Sequence, residues 1–229
     1  MTKDKSIMIS GASTGLGLAI SQVMSVENEI TILSRKCPKN LDKKIKHISV
    51  DFSKKDNISK LTEFQKQKII DSDILINNVG VFVDSSRESL KDYDYCDLFS
   101  VNVFSAIELT KLYIENRQSG RIININSVSG IRAQKNQEYY SASKFALRGF
   151  FDSLAQNINP NIKITNICSL KTLIPHVVDP AHPPINIKIK KYISGKFPQS
   201  SKFFVTYPVP VKIDITLNAT DLILVSKKL

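Results

Sequence analysis

Residues 6–17 read SIMISGASTGLG, an apolar run followed by a turn that contains three glycines. The run from Ser6 to Ile9 is typical of a buried strand, and the residues from Leu16 onward are compatible with a helix. A strand that turns tightly into a helix leaves the first backbone amides of the helix free, and such amides can bind a phosphate. The stretch therefore predicts an α/β fold with a nucleotide site after the first strand.

A tyrosine and a lysine stand four residues apart in EYYSASK, residues 138–144. On a helix, Tyr140 and Lys144 would share one face, although any lysine-rich helix produces such a pair by chance. A free tyrosine titrates near pH ~10, and a positive charge roughly 5 Å away at an effective dielectric of about 20 contributes about 3 kcal/mol, or about two pKa units. We therefore expect Tyr140 to act as an acid or base near pH ~7–8.

Further polar motifs follow the predicted strands in order. The motif NNVG, residues 77–80, follows the apolar run 73–76; Asn102 lies in SVNV; and Ser127 ends the run 121–126. Each motif alone is compatible with a structural role, such as closing a turn or capping a helix. Together, in this order, they resemble the short-chain dehydrogenase/reductase family, in its short form with the Gly-x-x-x-Gly-x-Gly turn, over roughly residues 5–170.

The resemblance implies a catalytic group of four residues, Asn102, Ser127, Tyr140 and Lys144. Ser127 would hydrogen-bond the substrate oxygen, and Tyr140 would give or take its proton. Lys144 would hold the nicotinamide ribose and lower the tyrosine pKa, and Asn102 would anchor a water of the proton relay. Hydride would pass between the nicotinamide and the substrate carbon.

The resemblance also implies where the cofactor binds. The glycine turn would shape the pyrophosphate site, Asn78 would steady the central strand and the adenosine pocket, and Asp51 would contact the adenine amino group. Thr172 would touch the nicotinamide amide. The expected cofactor-binding residues are Gly11, Ser13, Thr14, Gly15, Leu16, Gly17, Ser34, Arg35, Asp51, Phe52, Asn78, Gly80, Tyr140, Lys144 and Thr172.

The end of the second predicted strand bears on the choice between NAD(H) and NADP(H). An acidic residue there would hydrogen-bond the ribose 2′-hydroxyl of NAD, but this chain has Ser34 and Arg35. A guanidinium can bind a phosphate through two parallel hydrogen bonds. We expect NADP(H) as the cofactor, with NAD(H) less favoured. A solvated Arg35-Lys36 pair on a loop is the alternative.

Apolar runs alternate with helix-compatible stretches along most of the chain. This alternation predicts a doubly wound parallel sheet of the Rossmann type with helices on both faces, and 229 residues suit a single domain. The short linker 36–50 predicts that the second crossover helix is a stub. The strands, expected to be buried on both faces, are 7–9, 30–33, 48–50, 74–76, 122–125 and 162–167; the helices are 16–25, 58–70, 98–116 and 140–157.

Composition changes near Lys171, because seven of the nine prolines lie beyond it and only one of the eight glycines does. Prolines break helices and fix extended backbone, which predicts a loop over the active site from Leu173 to Ile187. We expect residues 173–207 to be ordered by ligands more than by their own packing. The alternative is a permanently docked loop held by Phe197, Phe203 and Phe204. The alternating run from Val211 to Leu217 predicts a strand, the last of the sheet.

The overall composition argues against several other classes of protein. No apolar segment reaches twenty residues, and the N-terminus lacks a signal-peptide core, so a cytoplasmic protein without a membrane span is expected. Three scattered cysteines and three histidines predict neither a disulfide framework nor a metal site. The net charge of +11 comes mostly from dispersed lysines, which does not favour nucleic-acid binding.

These observations predict an NADP(H)-dependent oxidoreductase that interconverts a carbonyl and a secondary alcohol on a small molecule. Residues 98–116 and 140–157 have apolar side chains on more than one side, and in relatives such helices pair across a two-fold axis. We therefore expect a homodimer or homotetramer. Two alternatives stay open: a cofactor-binding protein with little turnover, serving as a sensor or partner subunit, and a basic scaffold for an anionic polymer.

Overall fold

The computed structural model describes residues 3–54, 56–83, 94–115 and 117–169, and the short strands at 203–204, 217–218 and 221–222. Strands and helices alternate along the first 169 residues. The strands are β1 Ser6–Ser10, β2 Glu29–Ser34, β3 Lys46–Ser49, β4 Ile74–Asn77, β5 Gly120–Ser127, β6 Ile162–Ser169, β7 Phe203–Phe204, β8 Leu217–Asn218 and β9 Asp221–Leu222. The α-helices are α1 Gly15–Met24, α2 Glu63–Ile70, α3 Tyr95–Phe99, α4 Ser105–Ile114 and α5 Glu138–Asn157.

Seven strands form one sheet in the order β3-β2-β1-β4-β5-β6-β7, and all neighbouring pairs are parallel. The order reverses between β1 and β4, where the carboxyl ends of the strands open a crevice for a ligand. The predicted doubly wound parallel sheet is therefore confirmed.

Helices cover both faces of the sheet because alternate residues of each strand point to opposite sides. Ile7 and Ile9 of β1 pack in one buried cluster with Ile20 and Met24 of α1. Met8, between them, belongs to a second cluster. That second cluster also contains Ile69 of α2, Leu109 and Tyr113 of α4, and Phe151 of α5.

Several predicted boundaries differ from those observed. The edge strand β3 is exposed or half-buried along its length, so the expectation that it is buried on both faces is wrong. Helix α2 begins at Glu63, because Thr62 and Gln65 form a capping box that fixes its start. Residues 35–45 contain turns and no helix, as the short linker predicts.

The predicted helix 98–116 is divided into three segments. Between α3 and α4 lies a π-helical segment, Ser100–Phe104, in which the amide of Ser105 donates to the carbonyl of Ser100. A π turn holds one residue more than an α turn, so side chains before and after it are offset around the helix axis. Hydrophobic periodicity does not reveal this widening.

The later chain adds short strands to these elements. Phe203–Phe204 pairs with β6 as the seventh strand, a pairing that the sequence did not predict. Leu217, the end of the predicted strand from Val211, pairs instead with Leu222 in a separate antiparallel ladder. Thr172 and the predicted loop 173–187 lie outside the described residues. Among the described helices, none is long and apolar enough to cross a membrane.

Candidate active site

The glycine turn joins β1 to α1 and packs closely against the end of β4. Gly11 and Gly15 have positive φ angles of 69° and 61°. A Cβ on Gly17 would lie 2.4 Å from Nδ2 of Asn78. Within the described chain, Thr14 makes no side-chain capping bond, and the first turn of α1 has no acidic residue. The free amides and the positive end of the helix dipole therefore fit the phosphates of a dinucleotide.

Asn78 and Ser10 hold this turn against the end of β4. Nδ2 of Asn78 donates to the carbonyl oxygens of Ser10 at 3.1 Å and Gly11 at 2.9 Å. The hydroxyl of Ser10 accepts the backbone amides of Asn78 at 3.1 Å and Val79 at 3.2 Å. Asn78 thus links β1 to β4 at the point where the strand order reverses.

At the end of β2, Ser34 and Arg35 have different environments. Ser34 is buried, and its hydroxyl donates to the Lys36 carbonyl at 3.0 Å. Nε2 of His47 lies 3.2 Å from the Ser34 hydroxyl and 3.0 Å from the Ser34 carbonyl oxygen. Arg35 is exposed, and Ser49 Oγ donates to its carbonyl oxygen at 3.3 Å. The Ser34 hydroxyl is thus engaged within the protein, and Arg35 is the exposed group of the pair.

Asp51 and Phe52 follow β3. The Ser53 hydroxyl, 2.7 Å from Oδ1 of Asp51, lowers the pKa of the Asp51 carboxyl, and the Arg35 guanidinium contributes in the same direction. The Asp51 carboxylate therefore stays ionised at neutral pH. Phe52 is buried in the second hydrophobic cluster.

Asn102 is fully buried in the π segment and connects the loop after β4 to α5. Its Oδ1 accepts the amide of Val81 at 2.7 Å, and its Nδ2 donates to the Val81 carbonyl at 3.0 Å and to Oγ of Ser143 at 3.1 Å. The Ser143 hydroxyl in turn donates to the carbonyl of Tyr140 at 2.7 Å. The side chain of Asn102 is therefore held rigidly beside the helix that contains Tyr140.

Tyr140 and Ser127 are joined although they come from different elements. Ser127 ends β5, and its Oγ accepts the amide of Ser129 at 3.1 Å. A hydrogen bond also links the side chains of Ser127 and Tyr140. The Tyr140 ring meets the ring of Phe82 edge to face at a centroid distance of 5.0 Å. The phenol is thus fixed at the end of β5, with its hydroxyl directed to Ser127.

The pKa values of Tyr140 and Lys144 move in opposite directions. Burial raises the pKa of the Tyr140 phenol above 10, and the bond to Ser127 offsets this only in part. Burial lowers the pKa of Lys144 to about 8, while the Cys168 thiol acts in the opposite direction. The expected lowering of the tyrosine pKa by Lys144 is not what the structure favours, because burial sets the direction of the shift. Nζ of Lys144 lies 5.8 Å from the Tyr140 ring centroid, and desolvation of the phenol dominates.

Gly80 leaves a space that Lys144 and Asn102 both face. A Cβ at Gly80 would lie 3.4 Å from Nζ of Lys144 and 3.5 Å from Oδ1 of Asn102. None of the ion pairs among the described residues includes Lys144, although its side chain is almost fully buried. The structure therefore brings the four predicted catalytic residues together at the carboxyl ends of β4 and β5.

Asn126 and Ser143 support the site but were not found from the sequence. Oδ1 of Asn126 accepts the amide of Ser127 at 2.8 Å, and its Nδ2 donates to the carbonyl of Lys144 at 3.2 Å. Ser143 connects Asn102 to Tyr140. Asn126 directly precedes Ser127, and Ser143 directly precedes Lys144. Only this proximity in the sequence could have pointed to them. Across the described residues, no group of three or more His, Cys, Asp or Glu side chains is arranged to hold a metal ion.

Comparison with known proteins gives curated relatives with similar sequences. The chain is 34% identical over 170 residues to the 3-oxoacyl-[acyl-carrier-protein] reductase FabG of Buchnera aphidicola, which covers 69% of each protein. It is 31% identical over 163 residues to the 3-ketodihydrosphingosine reductase of Bacteroides thetaiotaomicron, covering 69% of this chain and 60% of that reductase. The chain thus spans less than two thirds of the length of the second relative.

Solved structures share the fold. A 4-hydroxyisoleucine dehydrogenase complexed with NADH and succinate is 28% identical, with a TM-score of 0.64, over 72% of this chain and 78% of that one. A short chain dehydrogenase from Burkholderia cenocepacia in complex with NADP is 17% identical, with a TM-score of 0.67, over 80% of this chain and 78% of that one. The short chain dehydrogenase family profile matches residues 5–177. The chain therefore belongs to the short-chain dehydrogenase family.

Proposed function

We propose that the protein is an NADP(H)-dependent oxidoreductase that interconverts a carbonyl and a secondary alcohol, with Tyr140 as the acid or base. The observation that carries this proposal is the Tyr140 hydroxyl, which is hydrogen-bonded to Ser127 and lies on the same helix face as the buried Lys144. A neutral phenol beside a second hydroxyl can bind a carbonyl oxygen through two hydrogen bonds. The nicotinamide, when bound, supplies or accepts the hydride.

In the reduction direction, the protein residues have distinct tasks. Ser127 and Tyr140 orient the substrate oxygen, and Tyr140 donates its proton as negative charge develops there. The raised pKa of Tyr140 keeps this proton in place until the substrate oxygen becomes basic. Lys144, whose pKa is about 8, is poised to exchange a proton near neutral pH and to replace the one that Tyr140 has lost.

The proposed cofactor site extends along the crevice from the glycine turn to Lys144. Gly11, Gly15 and Gly17 form the turn before α1, and the free amides at the start of α1 would bind the pyrophosphate. The exposed Arg35 at the end of β2 would bind a 2′-phosphate and favour NADP(H).

The test of the catalytic assignment is Tyr140→Phe, assayed with NADPH on a panel of carbonyl compounds. Because the relatives are reductases of 3-oxoacyl and 3-keto compounds, the panel includes both. We expect Tyr140→Phe to lose at least about 100-fold in turnover while its NADPH affinity stays within a few-fold. Lys144→Ala should impair both properties. Tyr139→Phe, the same change one residue away, serves as the control. More than about a tenth of the parent rate in Tyr140→Phe would exclude this role.

The test of cofactor choice is the ratio of NADPH to NADH affinity. NADPH should bind more tightly to the parent protein, and Arg35→Ala should remove most of the difference because the guanidinium is the exposed cation at this position. Lys36→Ala, which removes the neighbouring exposed cation, is the matched control and should retain the preference. Equal affinities in the parent protein would contradict the proposal.

A cofactor-binding protein with little turnover remains the second candidate. The change of composition near Lys171, next to the expected nicotinamide contact Thr172, is the reason to consider it. Tight binding of NADPH without turnover on the whole carbonyl panel would favour this candidate over an enzyme.

We also propose that the protein assembles as a homodimer or homotetramer through α4, α5 and the helical segments before α4. Aromatic side chains on these segments are partly exposed: Tyr95 by 53%, Phe104 by 51% and Phe145 by 42%. Pairing about a two-fold axis would bury them. A monomeric mass at micromolar protein concentration would contradict the proposal.

A further inference from the structure

Three asparagines lie side by side across the middle of the sheet. Asn77 of β4 is in register with Asn124 of β5, and Asn124 is in register with Asn166 of β6. All three face α4 and α5, because Asn77 contacts Thr110 of α4 and Asn166 contacts Asp152 of α5. We call Asn77, Asn124 and Asn166 the amide row.

One end of the amide row is fixed by a carboxylate. Nδ2 of Asn166 donates to Oδ1 of Asp152 at 3.0 Å, and Nε of Arg148 donates to Oδ2 of Asp152 at 3.1 Å. A carboxylate only accepts hydrogen bonds, so the nitrogen of Asn166 must face Asp152 and its oxygen must face Asn124. Nδ2 of Asn124 donates to that oxygen at 2.9 Å. The oxygen of Asn124 is thus the end of that amide that Asn166 does not engage, on the residue in register with Asn77.

The other end of the row contains two buried amide oxygens. Oδ1 of Asn77 and Oδ1 of Asn124 are buried, and among the described residues neither accepts a hydrogen bond. Nδ2 of Asn77 instead donates to Oγ1 of Thr110 at 3.0 Å. Two unpaired buried acceptors on neighbouring residues are unfavourable. The two ends of an asparagine amide have nearly the same shape, so its orientation is assigned from the hydrogen-bond network.

Reversing the amide of Asn77 would offer a donor to each oxygen, because Asn77 and Asn124 are in register on neighbouring strands. Its nitrogen then donates to Oδ1 of Asn124, and its oxygen accepts from the Thr110 hydroxyl, which can donate as well as accept. Every amide of the row then donates in the same direction, toward the negative charge of Asp152. Aligned hydrogen bonds that end on a charge strengthen one another.

We propose that the amide row is one continuous chain of hydrogen bonds from Thr110 to Asp152, and that it positions α5 for catalysis. Lys144, Arg148 and Asp152 follow one another at four-residue steps, each about 40° further around the helix. The row therefore holds α5 at Asp152, about two turns beyond Lys144 and on the adjoining side of the helix. A second contact, from Asn126 to the Lys144 carbonyl at 3.2 Å, lies along the same helix. This positioning role rests on the proposed function, but the chain of hydrogen bonds does not.

The chain itself is tested by a neutron crystal structure of the ligand-free protein. Deuterium on Nδ2 of Asn77, directed at Oδ1 of Asn124, is the expected result. A water molecule that donates to both oxygens, or an Asn77 nitrogen that faces Thr110, would overturn the continuous chain.

The positioning role is tested by exchanging the two groups at its charged end. Asn166→Asp alone places two carboxylates in contact, and Asp152→Asn alone leaves Arg148 facing an amide. The double variant restores the bonds within the row, because the carboxylate that replaces Asn166 would accept from Asn124 and from the amide that replaces Asp152. We expect each single variant to lose on the order of tenfold in turnover with the NADPH KM within twofold, and the double variant to recover most of it.

Ile123→Ala is the matched control, because Ile123 neighbours Asn124 on β5 but faces the opposite side of the sheet. It should lower stability without the same loss of turnover per folded molecule. Unchanged turnover in all three exchange variants, or an equal loss in the control, would overturn positioning. If the parent protein shows no turnover, the proposed function fails separately. In that case the positioning role is tested by a crystal structure of Asp152→Asn. Loss of the hydrogen bond between Tyr140 and Ser127 supports the positioning role, and its retention overturns it.

Discussion

Replacing Lys144 by methionine should make the protein more stable while removing its proposed activity. Lys144 is 4% exposed, and none of the ion pairs found in the described part of the chain includes it. Its ammonium therefore loses water on folding without gaining a charged partner. Methionine has a similar length and no charge, so Lys144→Met removes this cost and keeps most of the packing.

The size of the effect follows from the pKa. Burial lowers the pKa of Lys144 from its ordinary 10.5 to about 8. Between these values the unfolded chain binds the proton and the folded protein does not, so the stability of the parent rises with pH across this window. The cost of the buried charge is complete below pH ~8, where it is about 3 kcal/mol, and falls to about 1 kcal/mol at pH ~10.

The assay is urea unfolding of both proteins between pH ~7 and ~10. Lys144→Met should be more stable by about 3 kcal/mol at pH ~7, and this advantage should shrink as the pH rises. Lys111→Met, the same change at an exposed position on α4, is the control and should show no such trend. Burial raises the pKa of the Cys168 thiol and Lys144 lowers it, so replacing Lys144 also changes this titration, and the comparison at pH ~7 is the most direct one. An advantage that is absent at pH ~7, or that does not change with pH, would refute the argument.

Three further predictions concern single contacts. Gly11→Ala should lower the free energy of unfolding by more than about 2 kcal/mol and impair NADPH binding, because Gly11 has a positive φ and an added Cβ would lie 2.5 Å from the Val79 Cα. An unchanged free energy of unfolding and NADPH affinity would contradict this. Thr62→Ala should cost about 1 kcal/mol by removing the cap of α2, with NADPH binding unchanged. Ser143→Ala should cost about 1–3 kcal/mol and lower turnover, because Asn102 loses a buried acceptor; unchanged thermal unfolding would count against it.

Much of the fold was predictable because parallel strands that are buried on both faces read as continuous apolar runs. This holds for β1, β2, β4 and β5, and the glycine turn marks the first crossover. The edge strand β3 does not follow this pattern, because its residues are exposed or half-buried. Phe203–Phe204 could not be assigned, because its partner β6 lies more than thirty residues away and a two-residue strand has no periodicity.

The candidate site was predictable by residue type but not by environment. The spacing of Tyr140 and Lys144 placed both on one helix face, yet their pKa values depend on burial, which spacing does not reveal. The contact between the Ser34 hydroxyl and the His47 ring depends on the register of β2 with β3, which the sequence alone does not give. The amide row likewise appears only once the strands are aligned, because its three asparagines are far apart in the sequence.

The π segment makes the site sensitive to the number of residues in the chain. Each residue of an α-helix advances about 100° around the axis, so deleting one residue from Ser100–Phe104 would convert the wide turn to a regular one and rotate α3 by about that angle. Leu98 would then leave the core, or Asn102 would turn away from Val81. An insertion or deletion here is therefore more disruptive than most substitutions, and a chain one residue shorter would need a different contact to anchor the loop after β4.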